Sequence, residues 1–141
     1  FAFDKLTCAD IKGKELLRFQ SKVFAADHGF REALFPQSNL RDIDQVLENI
    51  LCTHLMSHGW TLSIGQADGR EVDFVAERNG EKRYFQVCYL LASPETEKRE
   101  FSPLYQIQDN WPKYVLSLDP ILRPRDGIAH ENLVSFLLQD T

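Results

Sequence analysis

The chain has 141 residues, 43% of them hydrophobic and 26% charged, the size and balance of one globular domain with a core of its own. Its net charge of −5, from 16 basic and 21 acidic residues, speaks against a nonspecific nucleic-acid binder, whose affinity rests on Lys and Arg at phosphates; a local basic strip stays open. No run approaches the roughly 20 apolar residues of a membrane span, so no membrane partner is expected.

The first residues, FAFDKLTCAD, have neither the basic region nor the apolar run of a secretory signal. They also lack an initiator methionine, which points to a fragment of a longer polypeptide. The cysteines, Cys8, Cys52 and Cys88, are odd in number and form no CxxC pair, which matches a reduced, cytoplasmic setting.

Residues 1–36 read as an N-terminal connecting segment and residues 37–141 as the domain proper. Within the first, KGKELLRFQSKVFAAD has room for one or two short strands and HGFREALF for a short helix. The pattern breaks at Pro36, Ser38 and Asn39. From Asn39 or Asp42 onward, Ile43, Val46, Leu47, Ile50, Leu51 and Leu55 recur at helical spacing, and Gly59 suits the terminating position. WTLSIG, at 60–65, follows as a short strand. Strands at 71–77 and 83–91 flank Asn79-Gly80, the strongest short-range signal for a two-residue type I′ turn. Ser93-Pro94-Glu95-Thr96 sets a capping serine before a proline at the first helical position, and that helix should run to Gln108. DNWP stops it. KYVLSL reads as a buried strand, PRDG as a loop, IAHENL as a short strand and VSFLLQ as a final turn. The order helix, three strands, helix, strand calls for an α/β fold with a mixed sheet, since the strands can form a meander and the second helix a crossover.

A two-residue loop fixes register. Arg78 then faces Glu81, Asp73 faces Gln86 and Glu71 faces Cys88, with paired side chains about 4.5–5.5 Å apart at Cβ on one face. That face carries Glu71, Asp73, Val75, Tyr84, Gln86 and Cys88. The other, with Val72, Phe74, Ala76, Phe85, Val87, Tyr89 and Leu91, is a core face. A carboxylate opposite a carboxamide offers hard oxygen ligands of the kind Mg²⁺ takes, and such an ion activates water and stabilises a phosphoryl transition state. The plainer reading is a cross-strand hydrogen bond on a half-exposed sheet, which is common.

This order, with an acid on the first helix, an acid on the second strand and an acid or amide on the third, resembles the PD-(D/E)XK, or restriction endonuclease-like, αβββαβ core. More closely, LENILCTHLMSHGW, REVDFVAERNGEKRYFQVCYLL and REFSPLYQIQDNWPKYVLSLD resemble the C-terminal domain of unknown function of archaeal and bacterial AAA-type ATPases. IKGKELLRFQSKVFAADHGFREAL looks like the segment leading into that domain, so the resemblance covers nearly the whole chain. It implies a mixed central sheet flanked by helices. It also assigns Glu48 as the helix acid, Asp73 as the second-strand acid and Gln86 as the third-strand member, with Asp73 and Gln86 the candidate Mg²⁺ ligands.

The nuclease pattern requires a lysine two residues after the third-strand member, and this chain has Cys88 there. A thiol carries no positive charge. Lys82 shares the parity but lies beside the turn, and Lys98 on the following helix is the other candidate. The ATPase-linked family itself carries a QV-x-Y pattern in place of ExK, as Gln86-Val87-Cys88-Tyr89 does here.

Other constellations carry less. His54 and His58 are four apart on a helix, the spacing of a shared metal, but no third ligand is evident, and helix-end histidines are the plainer reading. His28 and His130 have no recognisable context. Cys88 has no identifiable His/Asp partner to make it a nucleophile, and a buried thiol is the default. No GxxxxGK[ST] occurs, so ATP belongs only to an ATPase domain of the same polypeptide outside this chain. ETEKRE, at 95–100, reads as a solvated helix face, and Trp111 with Tyr114 as a packed corner. The leading expectation is therefore a degenerate nuclease-like auxiliary domain of an AAA-type ATPase, serving target recognition or protein contacts without robust catalysis. An active Mg²⁺-dependent DNA nuclease and a pure protein–protein interaction module are the alternatives.

Overall fold

The computed structural model describes the backbone of residues 3–10, 21–25 and 40–139, and side chains from Ile43 to Gln139. The elements in chain order are β1 (Phe3–Asp10), β2 (Ser21–Ala25), α1 (Leu40–Ser57), β3 (Thr61–Ala67), β4 (Arg70–Arg78), β5 (Glu81–Val87), α2 (Pro94–Tyr105), β6 (Lys113–Ser117), β7 (Ala129–Asn132) and α3 (Leu133–Leu137). Among the described residues the strands form one sheet in the order β2-β1-β3-β4-β5-β6-β7. It is mixed: β3, β4 and β5 run antiparallel in a meander, whereas β5–β6, β6–β7 and β1–β3 are parallel. The fold is α/β, a mixed sheet flanked by helices.

The turns come from local chemistry. Asn79 and Gly80 have φ of 51° and 81°, the positive pair a type I′ turn demands, and the strands pair as expected from Arg78↔Glu81 through Val75↔Tyr84 to Phe74↔Phe85. Asp68-Gly69 repeats the device between β3 and β4, with φ of 50° and 72°. At the start of α2, the Ser93 hydroxyl accepts the Thr96 N–H and Pro94 opens the helix, satisfying a donor the first turn would otherwise leave bare.

Both sheet faces are cores. Leu47, Leu51 and Leu55 of α1 and Phe136 of α3 pack on Ile64, Phe74, Phe85 and Leu116. On the other side, Phe101 and Leu104 of α2 pack on Val72, Val75, Tyr84, Cys88 and Val115. The expected single core face is thus corrected, and Val72 and Leu91 lie in the α2-side core rather than with Phe74. For Val72 the reason is a bulge: β4 pairs Val75 with Ser63 but Val72 with Gly65, so β4 spends one residue more than β3 and its alternation slips.

Smaller boundaries also differ. β5 ends at Val87 rather than residue 91, and α2 ends at Tyr105. Tyr114 stacks on Phe85 at 5.1 Å and makes a packed corner, but Trp111 beside it is exposed. β1 was not foreseen, β2 lies within the stretch expected to hold strands, and the short helix expected in HGFREALF lies outside the described residues, as does the boundary at residue 36.

Candidate functional site

The bulge in β4 falls at Asp73 and Phe74, and at the same point the β4–β5 ladder stops, its last pair being Phe74↔Phe85. Two side chains replace the missing rungs. The Asp73 N–H donates to Gln86 Oε1 at 2.7 Å, and the Val87 N–H donates to Asp73 Oδ2 at 2.9 Å. Each side chain thereby satisfies a main-chain donor on the opposite strand, which burial would otherwise make costly. Asp73 and Gln86 are 8% and 5% exposed.

Glu48 of α1, Asp73 and Gln86 line one cavity of about 700 Å³, together with Lys98, Arg99 and Glu100 of α2. The three residues selected from the sequence do meet at one place, and Lys98 borders it. Lys82 does not; it pairs with Glu77 at 3.1 Å on the hairpin.

Glu100 is the residue that sequence reading missed. ETEKRE was expected to be a solvated face, yet Glu100 is buried, because α2 lies on the sheet and this position faces Gln86. Gln86 Nε2 points at Glu100 Oε2 at 3.5 Å, and Arg99 Nε donates to Glu100 Oε1 at 2.9 Å. Burial first, then the charge of Asp73, pushes the Glu100 carboxyl up to about 7, against the pull of Arg99. A Phe at the next position offered the one available sign, since buried Phe101 fixes which side of α2 faces inward.

Cys88, at the position where the nuclease resemblance calls for a lysine, is buried beneath α2. Burial, and after it the charges of Glu100, Asp44, Asp119 and Asp73, pushes the thiol far above its ordinary range. It stays a neutral S–H at physiological pH, neither a cation nor a nucleophile. The chain beyond it is held by acids: Asp44 Oδ1 accepts the Tyr89 N–H at 2.7 Å and Asp119 Oδ2 accepts the Leu91 N–H at 2.8 Å.

Gln86, expected with Asp73 to hold Mg²⁺, does not fit that task. A hard cation needs oxygen lone pairs converging on one point. Gln86 instead gives its oxygen to a main-chain N–H and turns its NH₂, a donor, toward Glu100. Among the described residues no group of three or more His, Cys, Asp or Glu is placed to hold a metal ion. His54 and His58 are no exception, since His58 Nδ1 lies 2.7 Å from the His54 carbonyl oxygen at the helix end.

His130, which had no context in the sequence, has one in the fold. It is buried on β7, with Nε2 2.7 Å from Ser117 Oγ on β6, and Ser117 Oγ donates to Asp119 Oδ2 at 2.7 Å. Because the Arg123 N–H donates to Nδ1 at 2.8 Å, the neutral ring carries its proton on Nε2 and donates it to Ser117. Proton direction is thus opposite to that of a serine nucleophile, whose histidine must accept.

No helix among the described residues is long and apolar enough to cross a membrane. No family model matches the chain, and no solved structure matches it. It is 31% identical over 140 residues to an uncharacterized protein of Haemophilus influenzae (strain ATCC 51907 / DSM 11121 / KW20 / Rd), an alignment that takes in 99% of this chain and 34% of that protein. The chain therefore spans about a third of the length of the relative it matches.

Proposed function

We propose that this chain is a degenerate PD-(D/E)XK-type domain, the auxiliary C-terminal domain of an AAA-type ATPase, which recognises a target or contacts protein without robust catalysis. The observation that carries this reading is the use of Asp73 and Gln86 as substitute ladder rungs beside a neutral Cys88. The succession α1-β3-β4-β5-α2-β6, which matches the order that the resemblance implies, supports the restriction endonuclease-like core. ATP is handled by a separate domain of the same polypeptide. The buried free thiols of Cys52 and Cys88 suit a cytoplasmic setting.

Incubation with linear and supercoiled DNA in Mg²⁺ or Mn²⁺ tests it. No cleavage beyond that of the Asp73→Asn variant is expected; metal-dependent cleavage lost in Asp73→Asn overturns the reading and favours an active nuclease assisted by Lys98. Filter binding across salt concentrations then separates a DNA-contacting domain from a pure protein-contact module, which shows no affinity even at low salt.

A further inference from the structure

Trp111 is 41% exposed, yet the turn that carries it is firmly braced. Asp109 Oδ1 accepts the Trp111 N–H at 3.1 Å, and Lys113 Nζ donates to the carbonyl oxygens of Asp109 and Trp111 at 2.7 and 3.0 Å. The other carboxylate oxygen of Asp109 accepts the Tyr84 hydroxyl at 2.5 Å, which ties the turn to the sheet. A large aromatic side chain kept at the surface on a rigid turn suits a contact anchor, because little ordering entropy is lost when it binds.

Trp111 borders a hollow of about 340 Å³ at the end of α2, which shares no lining residue with the cavity of Glu48, Asp73 and Gln86. Its apolar lining is Leu104, Ile107 and Ile128, its aromatics are Tyr105 and Trp111, and its acids are Asp109 and Asp126. The cation in the lining, Lys113, is 10% exposed and already engaged by Asp109 at 3.1 Å. Asp126 is fixed as firmly as Trp111. With Gly127 it forms the centre of a tight turn, φ 52° and 79°, closed by hydrogen bonds between Arg125 and Ile128 at 3.1 and 2.9 Å. The Tyr105 hydroxyl donates to its carboxylate, while the adjacent Arg125 turns away to Glu97 at 2.7 Å.

We propose that this hollow takes an arginine side chain of a partner protein, its guanidinium lying over Trp111 and pairing with Asp126. The aliphatic stem of arginine suits the apolar residues of the lining. Its planar head both stacks on an aromatic face and meets a carboxylate with parallel N–H groups, which a lysine ammonium does not. Two fixed acids beside a neutralised lysine disfavour phosphate or any other anion here.

The inference does not use the nuclease-like reading, and the presence or absence of DNA cleavage leaves it untouched. The probe is the blocked peptide Ac-Gly-Arg-Gly-NH₂, titrated to about 20 mM into ¹⁵N-labelled protein and followed by NMR at the Trp111 indole and the Asp126 and Gly127 amides. One comparison peptide carries citrulline, which keeps the shape of arginine without its charge; another carries lysine, which keeps the charge without the plane. Saturable shifts with the arginine peptide are expected, with both comparison peptides at least roughly threefold weaker. Asp126→Asn and Trp111→Leu change exposed side chains, and each should weaken binding of the arginine peptide by at least roughly threefold, with the indole signal of buried Trp60 as the check on folding. Absence of saturation, equal binding of either comparison peptide, or undiminished binding in either variant overturns the proposal.

Discussion

Ser117 Oγ and His130 Nε2 lie 2.7 Å apart, both residues buried, in a chain of donors that ends on the Asp119 carboxylate. Burial first, and then Arg123 and Arg125, hold the His130 pKa below its ordinary value, against the opposite pull of Asp119 and Glu97. The Arg123 N–H occupies Nδ1, so protonating the ring breaks that bond. A histidine with a depressed folded pKa binds protons more readily when unfolded, so stability falls as pH drops below about 6.5. Thermal melts of the wild type and His130→Gln between pH 8 and pH 5 check this. The wild type should lose Tm more steeply on acidification, and parallel curves would refute the assignment.

Glu100 acts in the opposite sense. Its folded pKa, about 7, lies above the ordinary value, so the stability of the protonated form is lost as pH rises through 7. Glu100→Gln keeps the shape without the charge. It should be more stable than the wild type at pH 8, by roughly 1–3 kcal/mol, with the gap closing at pH 5. Urea titrations at the two pH values read the difference directly.

Asp73 is expected to matter for stability whether or not it matters for chemistry. Asp73→Ala removes the acceptor of the buried Val87 N–H and should cost about 1–3 kcal/mol, while Asp73→Asn keeps an oxygen there and should cost less. Equal urea midpoints for the wild type and Asp73→Ala would show that the substitute rung contributes nothing.

Cys88 should be chemically silent in the folded protein. Its thiol is buried and its pKa is raised, so thiolate is scarce even in mild base. Iodoacetamide labelling at pH 8, mapped by mass spectrometry, should modify Cys88 only after denaturant is added. Rapid native labelling would point to a local opening of α2 from the sheet.

The hairpin shows how far local chemistry reaches. Asn79-Gly80 favours the type I′ turn, that turn fixes the register, and the register brings Asp73 and Gln86 together. The helix from Leu40 to Ser57 was legible because its leucines recur on one stripe, and α2 because Ser93-Pro94 announces its start. The slip at Val72 was not legible, since a bulge answers to the neighbouring strand rather than to its own residues. Glu100 was hidden for a similar reason. A charged residue on a polar-looking helix reads as solvated unless the sheet it docks on is known.

From Leu40 onward, sequence alone determined the order of elements, the turn and the pairing of acid with amide, because each depends on neighbours within a few residues or across a two-residue loop. The tertiary structure decided what that pair is used for. Whether an oxygen is offered to a cation or to a main-chain N–H depends on where the ladder ends, and whether Glu100 is compensated depends on how α2 lies over β5. Those are long-range packing choices, and no local pattern along the chain encodes them.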